Sequence, residues 1–203
     1  MQISISKQTE SAAYHEAAHM TAAIVQAMPI RATGLHVDLY GSGRADYFQR
    51  EPGDSANTEL DQVERKRTII AIYAAHAAQF KFYPEVVTGG WYDDLSKIQR
   101  LLDEMALDTE QVRSLREDLQ ARASKLVDVF WPIIEDLAKA LLSRDCTPLL
   151  ASDTWASGIH QRNMLGSEIV DFFASRKITA TVISDNLRNF DSTQGTPHYD
   201  SLA

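Results

Sequence analysis

Thr9-Glu10-Ser11-Ala12-Ala13-Tyr14-His15-Glu16-Ala17-Ala18-His19-Met20-Thr21-Ala22-Ala23-Ile24-Val25-Gln26-Ala27-Met28 is rich in alanine and halts at Pro29. Within it Ala13, Ala17, Met20, Ile24 and Met28 recur at three- and four-residue steps, the period of an α-helix. Thr9 or Ser11 can accept an N–H at its start, and Glu10 suits the positive end of the helix dipole. The small side chains let neighbours approach closely. The spacing therefore predicts a buried, close-packed helix over 9–28.

Outward from this helix the pattern changes. Over 31–50, Leu35, Val37 and Leu39 alternate with His36 and Asp38; Gly41-Ser42-Gly43 supplies turn residues, and Ala45-Asp46-Tyr47-Phe48 can run back. This reads as a β-hairpin. A loop follows at Glu51-Pro52-Gly53-Asp54-Ser55. Thr58 then opens a second helix, with Asp61 as its capping-box acid and a stripe of Leu60, Val63, Ile69, Ile70, Tyr73, Ala77 and Phe80. Pro84 ends it, and Thr88-Gly89-Gly90-Trp91-Tyr92 makes a short loop. A third helix is predicted from near Asp93-Asp94, with Leu95, Ile98, Leu101, Leu102 and Met105 facing inward. Residues 109–143 form the longest helical stretch, kinked or divided at Pro132. Residues 144–160 read as connecting chain, Leu165 to Phe173 as a short helix, and polar 189–203 as a mobile tail. The expected fold is mainly α with one small β-hairpin, in a single domain over 1–188.

Composition removes several functions. The formal net charge is −8, and no run of Lys and Arg offers the basic footprint that nucleic acid needs. Cys146 is the one cysteine, so intrachain disulfides and multi-thiolate metal sites are excluded. The N-terminal residues lack the apolar stretch of a signal peptide, and no apolar run approaches the roughly 20 residues that span a bilayer. The expectation is a soluble, cytoplasmic protein.

The chemistry concentrates in His15-Glu16-Ala17-Ala18-His19. Two histidines four apart on a helix share one face, a turn apart, and can grip one metal ion. Glu16, on the adjoining edge, can reach a metal-held water without ligating the metal. This is the zincin arrangement, and it implies Zn2+ with Glu16 as general base in peptide-bond hydrolysis. A catalytic zinc takes three protein ligands and leaves a place for water. No histidine follows soon after His19, so the third ligand lies elsewhere; His76, Glu59, Asp93 and Asp94 are candidates.

The order of motifs resembles the peptidase domain of the FtsH-type ATP-dependent proteases. Ala13-Tyr14-His15-Glu16-Ala17-Ala18-His19 is similar to that family's Tyr-His-Glu-Ala-Gly-His segment, and the hairpin follows at the family's distance. Ile70-Ala71-Ile72-Tyr73-Ala74-Ala75-His76-Ala77-Ala78-Gln79 resembles its Gly-Gly-Arg-Ala-Ala-Glu helix. Thr88-Gly89-Gly90-Trp91-Tyr92-Asp93-Asp94-Leu95 resembles its Thr-Gly-Ala-x-Asn-Asp-Leu segment. The resemblance runs to about residue 145 and implies a helical zincin-like metallopeptidase domain with Asp94 as the third ligand. Ala18 stands in place of the family's glycine, and His76 and Gln79 in place of its arginine and glutamate. These residues contain no Gly-x-x-x-x-Gly-Lys-Ser/Thr phosphate loop, so the implied substrate is a peptide or an unfolded chain, or one delivered by a separate unfoldase.

Other residues fit plainer roles. His76 among alanines suits the core or a contact behind the metal ligands; His36 and His160 suit solvent. Trp91 and Tyr92 can line a substrate pocket or pack their loop. The hairpin's exposed edge can accept a substrate strand. Two competitors remain at this level: a metal-binding but inactive relative that holds peptides or a partner protein, and a helical interaction protein whose motif is fortuitous.

Overall fold

A computed structural model describes residues 5–53, 59–85, 90–148, 160–176 and 178. The chain runs α1 (Lys7–Val25), β1 (Ile30–Asp38), β2 (Gly43–Tyr47), α2 (Glu59–Phe82), α3 (Gly90–Asp103), α4 (Thr109–Leu142), β3 (Thr147–Pro148), β4 (His160–Met164) and α5 (Gly166–Ser175). The protein is mainly helical, as its sequence predicts.

The first helix is the axis of the fold. It packs against α2 and α4 on one side and against β1 and β2 on the other. Ala13, Ala17, Ala18, Ala22 and Ala23 are fully buried, which is why alanine fills this helix: larger side chains would hold its three neighbours apart. Its start lies earlier than the sequence suggested. Ser6, not Thr9 or Ser11, is the cap, its hydroxyl accepting the Thr9 N–H at 3.1 Å. The Thr9 hydroxyl donates instead to the Leu39 carbonyl at 3.0 Å, tying the helix to the hairpin turn.

The hairpin is part of a larger sheet. Leu35 pairs with Ala45 and Val37 with Gly43, and the far side of β1 pairs antiparallel with β4. The two-residue β3 completes the order β2-β1-β4-β3. Segment 144–160 thus contains strand where connecting chain was expected. Gly34 permits the junction of β1, β4 and α5: its φ is +71°, and a Cβ there would sit 2.1 Å from the Met164 carbonyl oxygen.

α4 continues as one helix through Pro132 and is not divided there. Its N-terminus carries a full capping box between Asp108 and Gln111. Leu60, Phe80 and Leu95, expected in apolar stripes, are exposed. His36, expected in solvent, is half-buried. At the start of α2, an ion-pair network of buried Asp61 and Arg65 with the more exposed Arg50 and Glu104 fastens the chain after the hairpin to α2 and to the end of α3. Thr58, Thr88, Gly89 and the tail expected at 189–203 lie outside the described residues. Among the described residues, no helix is long and apolar enough to cross a membrane.

Candidate metal centre

Helical periodicity brings the motif histidines together. His15 and His19 are both buried on α1, with ring centroids 4.8 Å apart and an interplanar angle of 79°. Their Nε2 atoms are 3.1 Å apart. From just beyond the first turn of α3, Asp94 sends Oδ2 to 3.2 Å from His15 Nε2 and 3.6 Å from His19 Nε2. Among the described residues this trio is the group able to hold a metal ion; Glu59 and Asp93, also considered from sequence, are not in it.

The donor set fits a tetrahedral divalent cation on two grounds. Ligands at about 2.0–2.1 Å from such an ion stand about 3.3–3.4 Å from one another, and the three observed separations of 3.1, 3.2 and 3.6 Å bracket that edge. The second ground is protonation. His15 Nδ1 donates to Gln79 Oε1 at 2.9 Å, because an amide oxygen can only accept. In a neutral ring the proton then sits on Nδ1, and Nε2 presents a lone pair. That lone pair faces another imidazole nitrogen and a carboxylate oxygen, a convergence a cation neutralises.

Each member of the trio has an outer partner. Gln79 holds His15. Tyr47 from β2 places its hydroxyl 3.5 Å from His19 Nδ1. His76 donates from Nε2 to Asp94 Oδ2 at 3.1 Å. Such contacts fix ring orientation and donor basicity. Sequence reading gave His76 a place here but assigned nothing to Gln79 or Tyr47. Gln79 was signalled by its spacing: three residues after His76, it must share a helix face with it. Tyr47 was signalled by strand alternation, which points it to the same side as Ala45 across from the inward Leu35.

Glu16 is buried beside His15, beneath β2. Burial pushes its carboxyl up to about 7; the Asp94 charge adds to this, while His15, the Ala45 backbone N–H and Arg44 pull the other way. Asp94 behaves oppositely. Burial alone would raise it, but the His15, His19 and His76 rings gathered around it hold it well below the usual carboxylate range. Burial lowers His76, outweighing the pull of Asp94, so its ring is neutral at pH 7. The three carboxyl and imidazole groups are thus set apart: an ionised carboxylate at Asp94, a neutral donor at His76 and, at Glu16, a carboxyl able to gain or lose a proton.

A groove of about 520 Å3 opens next to the centre, between α2, α3 and α4. His76 and Trp91 form its wall on the Asp94 side, their rings 4.8 Å apart. Tyr73, Phe80, Leu95 and Val127 supply most of the remaining apolar lining. The exposure of Phe80 and Leu95 therefore has a place: both face this groove. Its two charges, Lys81 and Asp128, are paired with each other at 2.5 Å. No protein-family model matches this chain, and no curated protein matches it.

Proposed function

We propose that this chain is a zinc-dependent peptidase of the zincin type, akin to the peptidase domain of the FtsH-type proteases, acting on unfolded or extended polypeptide. The observation that carries the reading is the convergence of His15 Nε2, His19 Nε2 and Asp94 Oδ2 within one tetrahedral face, with Glu16 buried alongside. Held there, zinc would supply a Lewis acid that lowers the pKa of a coordinated water from about 15.7 toward about 7 and polarises a carbonyl.

The protein's own groups do the rest. The Glu16 carboxylate takes a proton from the attacking water and hands it to the departing amine nitrogen. The Ala45 backbone N–H orients that carboxylate from the floor of the hairpin. Substrate has two supports. Among the described residues β2 is the outer strand of the sheet, so an extended chain can pair with its outer edge. The neutral, aromatic-lined groove beside Asp94 suits an apolar side chain of that substrate; its volume lies within the range of about 300–1,000 Å3 typical of ligand sites.

The test is zinc analysis of the purified protein together with cleavage of unfolded casein. Wild type should carry stoichiometric zinc and cut; Glu16→Gln should keep zinc and not cut. Equal cutting by both defeats the mechanism. Zinc without any cutting leaves a metal-binding interaction module, and no zinc leaves a helical interaction protein. Asp94→Ala should weaken zinc binding markedly; an unchanged affinity would move the third ligand elsewhere.

A further inference from the structure

Among the described residues, His76 is the one group outside the ligand set that donates a hydrogen bond to the Asp94 carboxylate. It is also fixed in three ways. The residue is only 7% exposed. Trp91 packs on it with ring centroids 4.8 Å apart and an interplanar angle of 32°. Its helix is anchored to the same centre one turn on, where Gln79 grips His15. A carboxylate on a short side chain near a helix start has several rotamers, and a donor locked at 3.1 Å selects one of them. We propose that His76 is a positioning residue: through Nε2–H it holds Asp94 turned toward His15 and His19, so that the three donor atoms are preset before a metal arrives. This rests on the reading of His15, His19 and Asp94 as metal ligands. His76 itself stays outside that trio, since it is not among the donors that lie mutually close.

The geometry also divides labour along α2. His76 and Gln79, three residues apart, face one way and reach two different ligands on two different helices, α3 and α1. One rigid element thereby sets the distance between the histidine pair and the aspartate. Preset donors lose less freedom on binding, which raises affinity without adding a ligand.

The experiment is a zinc titration against a chromophoric chelator for wild type, His76→Gln and His76→Phe, with cobalt(II) absorption spectra of each. Phe keeps the packing on Trp91 and removes the donor; Gln places an amide N–H close to the Nε2 position. His76→Phe should weaken zinc about 10- to 100-fold and shift the cobalt bands, while His76→Gln should return most of the affinity and the wild-type spectrum. Zinc affinity within twofold of wild type in His76→Phe overturns the proposal, as does equal loss in both variants. Should His76→Phe not fold, His76→Ala against His76→Gln makes the same comparison. A wild type that binds neither zinc nor cobalt removes the metal reading itself, which is a separate outcome from wild-type binding that ignores His76.

Discussion

Gly43 of β2 lies directly on the Glu16 side chain: a Cβ built at Gly43 would stand 2.6 Å from Glu16 Cγ and 3.1 Å from its Oε1. The hairpin thus roofs the proposed general base, and the absent side chain at this position is what lets the strand come down so far. Main-chain conformation is not the reason, since Gly43 lacks a positive φ.

Gly43→Ala should therefore act on Glu16 and spare the ligands. The added methyl must push either the carboxylate or the strand, because the His36 carbonyl oxygen at 3.0 Å closes the other side. A displacement on the order of 1 Å at a reacting group costs about 100-fold in rate. The expected result is casein cleavage reduced on that order with zinc affinity unchanged. Unaltered cleavage would show that Glu16 tolerates the shift or takes no part.

The buried Glu16 carboxyl makes a prediction about the metal-free protein. Its folded pKa, about 7, lies above the ordinary 4.5. The native state therefore binds the extra proton, and this stabilisation is full below 4.5 and disappears as pH rises through about 7. Glu16→Gln removes the titration while keeping the shape. In urea unfolding of chelator-treated protein, the variant should gain on wild type between pH 5 and pH 8, by up to roughly 3 kcal/mol. A stability difference that stays constant across that range would mean the carboxyl is not held up by burial.

Groove occupancy can be tested at Ser124, an exposed residue of α4 on its lining. Ser124→Phe projects a ring into the groove, and Ser124 itself is outside both the core and the His15, His19 and Asp94 trio. In a peptide library, wild type should favour a bulky apolar residue at one position beside the scissile bond, and Ser124→Phe should lose that preference at least tenfold while still cutting. An unchanged library profile would place substrate elsewhere.

Much of this arrangement is legible in the sequence because it follows local periodicity. The alanine steps of α1 and the four-residue spacing of His15 and His19 carry their own geometry. Asp94 is different: its place at a helix start after Gly89-Gly90 favours it over His76, Asp93 and Glu59 only weakly, and the resemblance is what raises it well above them. β4 was illegible for a physical reason. His160-Gln161-Arg162-Asn163-Met164 is almost wholly polar, and its pairing with β1 is long-range, so neither alternation nor a turn announces it. Phe80 and Leu95 misled because periodicity reports a helix face and not what covers it; here the face borders a groove. Ser6 is not legible as the cap because helix ends are set by single hydrogen bonds, which hydrophobic spacing does not encode.

The pairing of β1 with β4 has a practical meaning for anyone trimming this protein. A fragment stopped near residue 145 would keep every group of the candidate metal centre yet strip one flank of β1 bare from Leu35 to Asp38. Naked strand flanks recruit other chains. Such a shortened piece should clump more readily than the full chain, because β4 covers a flank of the strand that packs on α1.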